Sequence, residues 1–346
     1  MMRRLSWFNK GVFSVTVFIS IITLLGYLLP FLAPKLFPFL SVVTLVLPSL
    51  LIVNVVLFCY WGIQFKRQVL LPFFVLILGF TSFPKFYKFT EKVVEREKGD
   101  FVLMSYNVRL FNLFEWIPDD AVPEKIKEFV EMQDPDVLCL QEFSKNAKLS
   151  FPQFKYRYIT THGKQIKTGQ AIYSKFQIID KGEINLPNSN NNVVFVDVLK
   201  GKDTIRVYSM HLQSVNISPD IHEKIDEVKS KKILNRLSKA FREQQLQSEL
   251  MQSHRVDTEY PVIICGDLNN SAFSYVYRNI KGELQDAFVE AGKGFGATYH
   301  FPYYPARIDY VFVDKRIEIR SFKTHSDFVN SDHYPITTSL KLRSND

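Results

Sequence analysis

Residues 261 to 270, Pro-Val-Ile-Ile-Cys-Gly-Asp-Leu-Asn-Asn, carry oxygen-bearing side chains at a spacing that suits chemistry. The apolar run that stops at Gly266 reads as a buried strand, and alternation along an extended chain puts Asp267 and Asn269 on the same side. A carboxylate and an amide thus leave the end of a core strand together, where layered α/β proteins usually keep catalytic groups. The chemistry open to such a pair is polar: proton transfer and the holding of charged oxygens. Taken alone the same residues equally suit a polar turn, since Gly, Asp and Asn are the commonest turn formers. Partners elsewhere in the chain decide between the two.

Five other segments place a polar group at the edge of a strand-like run. Asn107 closes Met104-Ser105-Tyr106-Asn107, Glu142 ends the run from Pro135, and His211 ends Val207-Tyr208-Ser209-Met210-His211. Asp309 lies in Arg307-Ile308-Asp309-Tyr310-Val311, and Ser331-Asp332-His333-Tyr334-Pro335 precedes the last run. Each has an ordinary explanation: Glu142 as a solvated strand end, His211 as a satisfied core histidine. Asp309 is harder to dismiss, because a buried carboxylate is costly unless paired, and His333 is a natural partner.

The elements that must position these groups are mostly strands. Strand-like runs occupy 101–106, 136–141, 170–174, 193–199, 204–210, 261–265, 308–313 and 335–342, and helical spacing appears at 122–133 and through 220–253. Many strands with few helices between them predict stacked sheets rather than a simple βα alternation. The stretch from Ile221 through Met251 reads as an amphipathic surface helix or helix pair, with Ile225, Val228, Ile233, Leu234, Leu237 and Phe241 as its apolar positions.

The first ninety residues differ from the rest in carrying eight Lys/Arg and no Asp or Glu. Apolar runs at 11–33 and 37–61 reach the roughly 20 residues that a bilayer-spanning helix needs. A third, at 69–83, is shorter and needs snorkelling flanks, available in Lys66, Arg67, Lys85 and Lys88. Three transmembrane helices are therefore expected, with Pro30, Pro34, Pro38 and Pro48 where a helix breaks or kinks. The long first run, the absence of a small-residue cleavage site after it and the two further runs argue against a signal peptide. Arg3, Arg4 and Lys10 favour a cytoplasmic amino terminus, and three crossings then place the remainder outside; the Lys/Arg cluster at 85–98 argues the other way.

Setting those eight bases aside leaves 35 of 43 against 35 acids, so the net +8 belongs to the amino-terminal part. The neutral remainder lacks the basic excess of a strong nonspecific nucleic-acid binder. Cys59, Cys139 and Cys265 are too few for a disulfide framework or a zinc site and read as small buried hydrophobes.

In chain order, the segments SYN, LQE, GQAIYSK, MHL, GDLN, RIDY and SDH resemble the endonuclease/exonuclease/phosphatase superfamily over about residues 100–343. These are metal-dependent phosphoesterases that include DNase I-like nucleases, neutral sphingomyelinases and inositol polyphosphate phosphatases. The resemblance implies an α/β (α+β) fold, a four-layer sandwich of two packed mixed β-sheets flanked by helices, with the site at one end of the sheets. Residues 1–90 would then be a membrane anchor, 91–100 a linker and 101–346 the catalytic domain.

The same resemblance implies roles. Glu142 matches the family's metal-binding glutamate and Asp332 is a second candidate ligand; the implied cofactor is Mg²⁺ or Mn²⁺, hard cations suited to carboxylates. Asp267 matches the residue that orients or deprotonates the attacking water. Asn269 and Asn107 match amides that hold phosphate or complete the metal's surroundings. His211 and His333 would donate to the phosphoryl oxygens, and Asp309 would fix the ring of His333. His211 at the end of MHL looks like the DNase I and sphingomyelinase branches, which leans towards a phosphodiester substrate, nucleic acid or phospholipid headgroup. A phosphomonoesterase of the inositol-phosphate type and a catalytically silent, membrane-tethered binding module are the alternatives. The lipid bilayer is the other expected partner, no obligate protein partner is implied, and the expected location is the cytoplasmic (inner) membrane, multi-pass, with an extracytoplasmic catalytic domain.

Overall fold

All eight apolar runs become strands, and four more strands join them. A computed structural model describes residues 5–187, 189, 191–215, 227–301 and 304–343. Its strands are β1 (Phe101–Asn107), β2 (Val137–Ser144), β3 (Tyr156–His162), β4 (Thr168–Ser174), β5 (Gln177–Asn185), β6 (Asn192–Lys200), β7 (Asp203–His211), β8 (Val262–Asp267), β9 (Gln285–Asp286), β10 (Asp309–Val313), β11 (Ile317–Thr324) and β12 (Ile336–Leu342). The α-helices among the described residues are α1 (Trp7–Leu28), α2 (Pro38–Val42), α3 (Leu47–Ile63), α4 (Leu70–Leu78), α5 (Val122–Gln133), α6 (Glu227–Val256), α7 (Tyr275–Lys281) and α8 (Ala287–Ala291).

The strands form two six-stranded sheets, β11-β12-β1-β2-β4-β3 and β5-β6-β7-β8-β10-β9. β1 with β2 and β7 with β8 pair in parallel, while pairs such as β1 with β12 and β8 with β10 are antiparallel, so both sheets are mixed. The four strands with no apolar run, β3, β5, β9 and β11, are the edges of the two sheets. An interior strand of a sandwich is covered on both faces and reads as nearly continuous apolar sequence, whereas an edge strand meets solvent and does not. β5, exposed or half-buried throughout, shows why the sequence gives no run there.

Strand parity sorts the side chains into layers. Phe101 and Leu103, Val137 and Cys139, Val207, Ile263 and Cys265, and Val311 pack between the sheets. The alternate residues face outward, Met104, Leu138 and Leu140 against Ile126 and Val130 of α5, and Met210 and Ile264 against Met251 of α6 and Val276 of α7. Each fully buried Val, Ile or Leu contributes about 1.5–3 kcal/mol relative to exposure. The layers therefore run helix, sheet, sheet, helix.

Two expectations about helices need correction. The part of the 220–253 stretch at 220–226 lies outside the described residues; from Glu227 the helix is continuous, but its buried face is largely polar, including Gln244, Gln245, Gln247 and Ser248 beside Phe241 and Met251. Val228 and Leu234 are exposed. The glutamines are buried because they hold neighbouring loops, as described below.

The amino-terminal region does not contain three helices of membrane-spanning length. One helix, Trp7–Phe31, is long and apolar enough, with 25 residues and a mean hydropathy of 2.3. The second run is a pair of helices, Pro38–Leu45 and Leu47–Ile63, bent by 55° and equal to one span only if taken together. Pro48, in the first turn of α3, accounts for the break: it has no N–H and its ring crowds the carbonyl four residues back. The third run keeps nine α-helical residues before Gly79 and a 3-10 stretch containing Pro84, short of the roughly 20 required.

These helices still pack together. α1 buries Thr16, Ser20, Thr23 and Gly26. From α3, Asn54 Nδ2 donates to Thr23 Oγ1 (2.8 Å), Ser20 Oγ donates to Asn54 Oδ1 (3.3 Å), and Trp61 Nε1 donates to Thr16 Oγ1 (2.9 Å). A Cβ on Gly26 would lie 2.7 Å from Leu47 Cδ1, so a larger residue there would make the Leu47 side chain shift. The opposite faces expose large apolar side chains such as Phe18, Ile21, Leu25, Val56 and Leu78. Cys59 lies on an exposed face too, contrary to the expectation of burial, while Cys139 and Cys265 are buried.

Residues between α1 and α3 dock on the sandwich. α2 lies against α6, and Lys35 N donates to Gln245 Oε1 (2.8 Å). Leu47, Leu51, Phe86 and Phe273 form a small core of their own. Arg307, ion-paired with buried Asp286 at 2.8 Å, also donates from Nη2 to the carbonyl of Lys85 (3.0 Å). These contacts fix the apolar region beside one end of the sheets.

Candidate active site

The inward parity of five strands continues past the apolar core into polar groups. Two residues beyond Cys265 on β8 is Asp267, and two before Val311 on β10 is Asp309, its direct antiparallel partner. His211 on β7 is the parallel partner of Asp267. On the facing sheet, Asn107 ends β1 opposite Gln141 of β2. Below them a polar layer joins the sheets: Gln141 Nε2 donates to Ser209 Oγ (2.8 Å), and Ser209 Oγ donates to Gln170 Oε1 (2.7 Å).

Glu142 should face outward by this parity, yet it reaches the cluster. The register between β2 and β4 shifts between Leu140 and Phe143, and Glu142 has a φ of 49°. A bulge re-aims one side chain at the cost of local backbone strain. The result is Asn107 Nδ2 bridging the two carboxylates, donating to Glu142 Oε1 at 3.3 Å and Asp267 Oδ2 at 3.2 Å. Gly266 serves the same end on β8: its φ is 121°, and a Cβ there would lie 2.1 Å from Met210 O.

Asp267 is buried and held by three donors. Asn269 N reaches Oδ1 (2.7 Å), and Asn269 Nδ2 (3.1 Å) and Asn107 Nδ2 reach Oδ2. Asn269 itself has a φ of 51° and also donates to Leu212 O (3.1 Å). Burial, reinforced by the Asp309 carboxylate and opposed by His333, pushes the Asp267 carboxyl up to about 8. His333 Nε2 lies 3.7 Å from Asp267 Oδ2, and its Nδ1 is 2.9 Å from Asp309 Oδ2. Burial opposes a charged ring, but Asp309 and Asp267 outweigh it and hold His333 up at about 10. His211 is lowered from its ordinary value by burial. Its Nε2 has no hydrogen-bond partner and lies 3.7 Å from Glu142 Oε1 and 3.8 Å from Asp267 Oδ2.

This arrangement fits a hard divalent cation. Its donors are oxygen-rich, two carboxylates stand directly opposite each other on adjacent strands, and a buried imidazole nitrogen is unpaired beside them. Ligand atoms of Asp267, Asp309 and His333 lie within 4.8 Å of one another. The hydrogen bond between Asp309 and His333 accounts for part of that closeness, which leaves Glu142, part-exposed at the cavity, as the more available carboxylate. Asp332 also lines the cavity, but its Oδ2 faces Arg109 Nε at 3.4 Å.

The site also contains residues that sequence reasoning passed over. Arg109 pairs with Asp332 and stacks on Trp116 at 4.4 Å. Tyr299 packs edge-on against the His333 ring at 5.0 Å, and Ser331 Oγ ties its loop to Asn107 O at 2.9 Å. Gln244 of α6 donates to Asn269 O (3.2 Å) and accepts from Asn270 Nδ2 (2.7 Å), clamping the loop after Asp267. Arg109 follows the SYN segment by two positions, which is a usable signal. Gln244 carries none, since a glutamine among charges on a helix reads as solvated face.

A cavity of about 710 Å³ opens over the cluster, with Glu142, Asp267, Asn269, Asp332 and His333 at its polar end. The profile described as endonuclease/exonuclease/phosphatase family matches residues 104–333, and a domain of unknown function matches 9–86. No curated protein sequence matches the chain. Among solved structures, an endonuclease/exonuclease/phosphatase from Beutenbergia cavernae DSM 12333 is 17% identical with a TM-score of 0.53, covering 71% of this chain and 72% of that one. The human nocturnin catalytic domain with bound sulfate is 16% identical (TM-score 0.54, 73% and 97% covered). D. rerio TDP2 complexed with a single-strand DNA product is 15% identical (TM-score 0.54, 70% and 100% covered). At these identities the likeness is one of fold.

Proposed function

The chain belongs to the endonuclease/exonuclease/phosphatase family, divalent-metal-dependent hydrolases of phosphate esters, and from that membership we propose that it is a membrane-anchored phosphodiesterase. The observation that carries the reading is the pairing of a buried, three-donor carboxylate, Asp267, with an imidazole held charged by Asp309, at the polar end of one cavity. Asp267 in its ionised form takes the proton of the attacking water; its raised basicity then makes it a stronger base than an ordinary carboxylate. Asn107 and Asn269 position it. His333, with His211 beside it, donates to the phosphoryl oxygens as charge builds there. Asp309 acts through His333, fixing its ring and its charge.

Glu142 would hold the cation, Mg²⁺ or Mn²⁺; Asp332, the second candidate ligand, is paired with Arg109. A bound cation supplies charge relief to the phosphoryl oxygens. A singly charged diester suits the cavity better than a doubly charged monoester, because Arg109 is already paired with Asp332 and Arg307 with Asp286. Purified full-length protein is expected to hydrolyse a chromogenic phosphodiester with Mg²⁺ or Mn²⁺ and to stop on chelation. Glu142→Gln should raise the Mg²⁺ concentration for half-maximal rate by about tenfold or more. A metal titration identical to wild type would remove Glu142 from that role, and hydrolysis of monoesters alone would favour a phosphatase.

Two observations support anchoring with the catalytic part on the far side of the membrane from the amino terminus. Asn9, near the start of α1, hydrogen-bonds Gln64 and Tyr60, while the stretch that follows α1, Leu29–Phe31, packs against α7 of the sandwich. The 22 residues of α1 span about 33 Å at 1.5 Å per residue, close to the roughly 30 Å of a hydrocarbon core. With Arg3, Arg4 and Lys10 retained inside the cytoplasmic membrane, the active site lies outside. Alkaline phosphatase fused at the carboxyl terminus should be active in cells and a fluorescent protein at the same point dark; the reverse pattern would place the site inside.

A further inference from the structure

The cavity over Asp267 and His333 is polar at one end only. Away from the catalytic groups its walls include Ile233, Leu237 and Phe241 of α6 and, from the amino-terminal region, Leu45, Val46 and Phe86. Leu45 and Val46 sit at the bend between the paired apolar helices, and Phe39 and Leu40, in the first helix of that pair, expose large apolar side chains. Val46 is itself half exposed. An apolar path therefore joins the catalytic cluster to the surface that a bilayer would cover. Among the described residues the cavity offers no basic track for a polyanion: of the Lys and Arg side chains that line it, Arg109 pairs with Asp332 and Arg307 with Asp286, leaving Lys85.

We propose that the substrate is a membrane amphiphile, a phosphodiester seated at Asp267 and His333 with its hydrocarbon chain along Leu45, Val46, Phe86, Ile233, Leu237 and Phe241. This rests on the phosphodiesterase reading above. The reaction is hydrolysis alone: the water oxygen bonds to phosphorus as the bond to the leaving oxygen breaks, Asp267 receives the water proton and afterwards returns it to solvent, and the leaving oxygen departs as an anion that takes a proton from solvent. A chain lifted out of the leaflet to reach Asp267 would otherwise enter water, and the apolar wall removes that cost over the length of chain that it covers.

The test compares two diesters with one scissile bond, hexadecyl 4-nitrophenyl phosphate and methyl 4-nitrophenyl phosphate, cleaved by the full-length protein in mixed micelles with Mg²⁺. The long-chain diester is expected to show a kcat/KM about a hundredfold higher or more. Ile233→Gln and Leu237→Gln, at part-exposed positions that tolerate polar side chains, should each lower that ratio about tenfold. A ratio near one overturns the inference and leaves the phosphodiesterase reading standing. A high ratio unchanged in both variants assigns the preference to micelle partitioning and overturns it as well. Cleavage of neither diester removes the phosphodiesterase reading and the inference together.

Discussion

Asp267→Asn is expected to leave a folded protein whose phosphodiester turnover falls by on the order of 10³-fold, with KM little changed. The amide keeps the shape of the carboxylate and can still accept from Asn269 N, but it cannot receive a proton from water. Stability separates loss of chemistry from loss of fold. The folded Asp267 carboxyl lies well above its ordinary 3.8, so the folded state holds its proton to higher pH than the unfolded state does. With metal chelated, the stability linked to this group is fully present below pH 4 and is lost progressively towards about 8. His333 adds a loss of its own only above its ordinary 6.5, and the lowered histidines His211, His254 and His325 add a gain below 6.5 in wild type and variant alike, so from about pH 4 to 6 the difference between the two proteins isolates Asp267. Thermal denaturation should show the stability of wild type relative to the Asn variant falling across that interval. Retained turnover in the folded variant would end the role of Asp267 as base.

His333→Ala is expected to reduce turnover by about 10²- to 10³-fold, the usual consequence of removing a preorganised donor from a site where charge develops. It also strands Asp309, buried and without its 2.9 Å partner, so the variant should be less stable than wild type. Asp309→Asn gives the sharper measurement. His333 must be protonated to donate from Nε2 while Nδ1–H faces Asp309, and Asp309 is the strongest of the groups that raise it. Removing that carboxylate should move the alkaline limb of the pH–rate profile from about 10 towards neutrality. If Asp309 acts only through the ring, Asp309→Asn on the His333→Ala background will cost no further activity. An unshifted alkaline limb, or additive losses in the double variant, would deny the pairing.

Much of the fold was legible because interior strands and catalytic strand ends write themselves locally. The runs leading into Asn107, Glu142, His211 and Asp267 are apolar because both faces of those strands are covered, and each stops where the polar site begins. The edge strands β3, β5 and β11 left no such run, since part of each meets solvent, and β9 is only two residues long. The apolar composition of residues 11–83 was equally plain, but composition does not count spans: Pro48 and Gly79 divide runs that hydropathy joins.

By itself, then, the sequence determined the chemistry available and its order along the chain: carboxylates, amides and imidazoles at the ends of strands whose two-residue period fixes which face each one occupies. Tertiary structure decided what those groups do to one another. The bulge that turns Glu142 inward, the opposition of Asp267 and Asp309 across β8 and β10, and the clamp from Gln244 each join residues far apart in the chain. So does the meeting of Val46 with Leu237 in one cavity, which gives the site an apolar wall. The shifts of Asp267 and His333 have the same origin, because desolvation and charge act over distances in space and no local pattern of residue types encodes them.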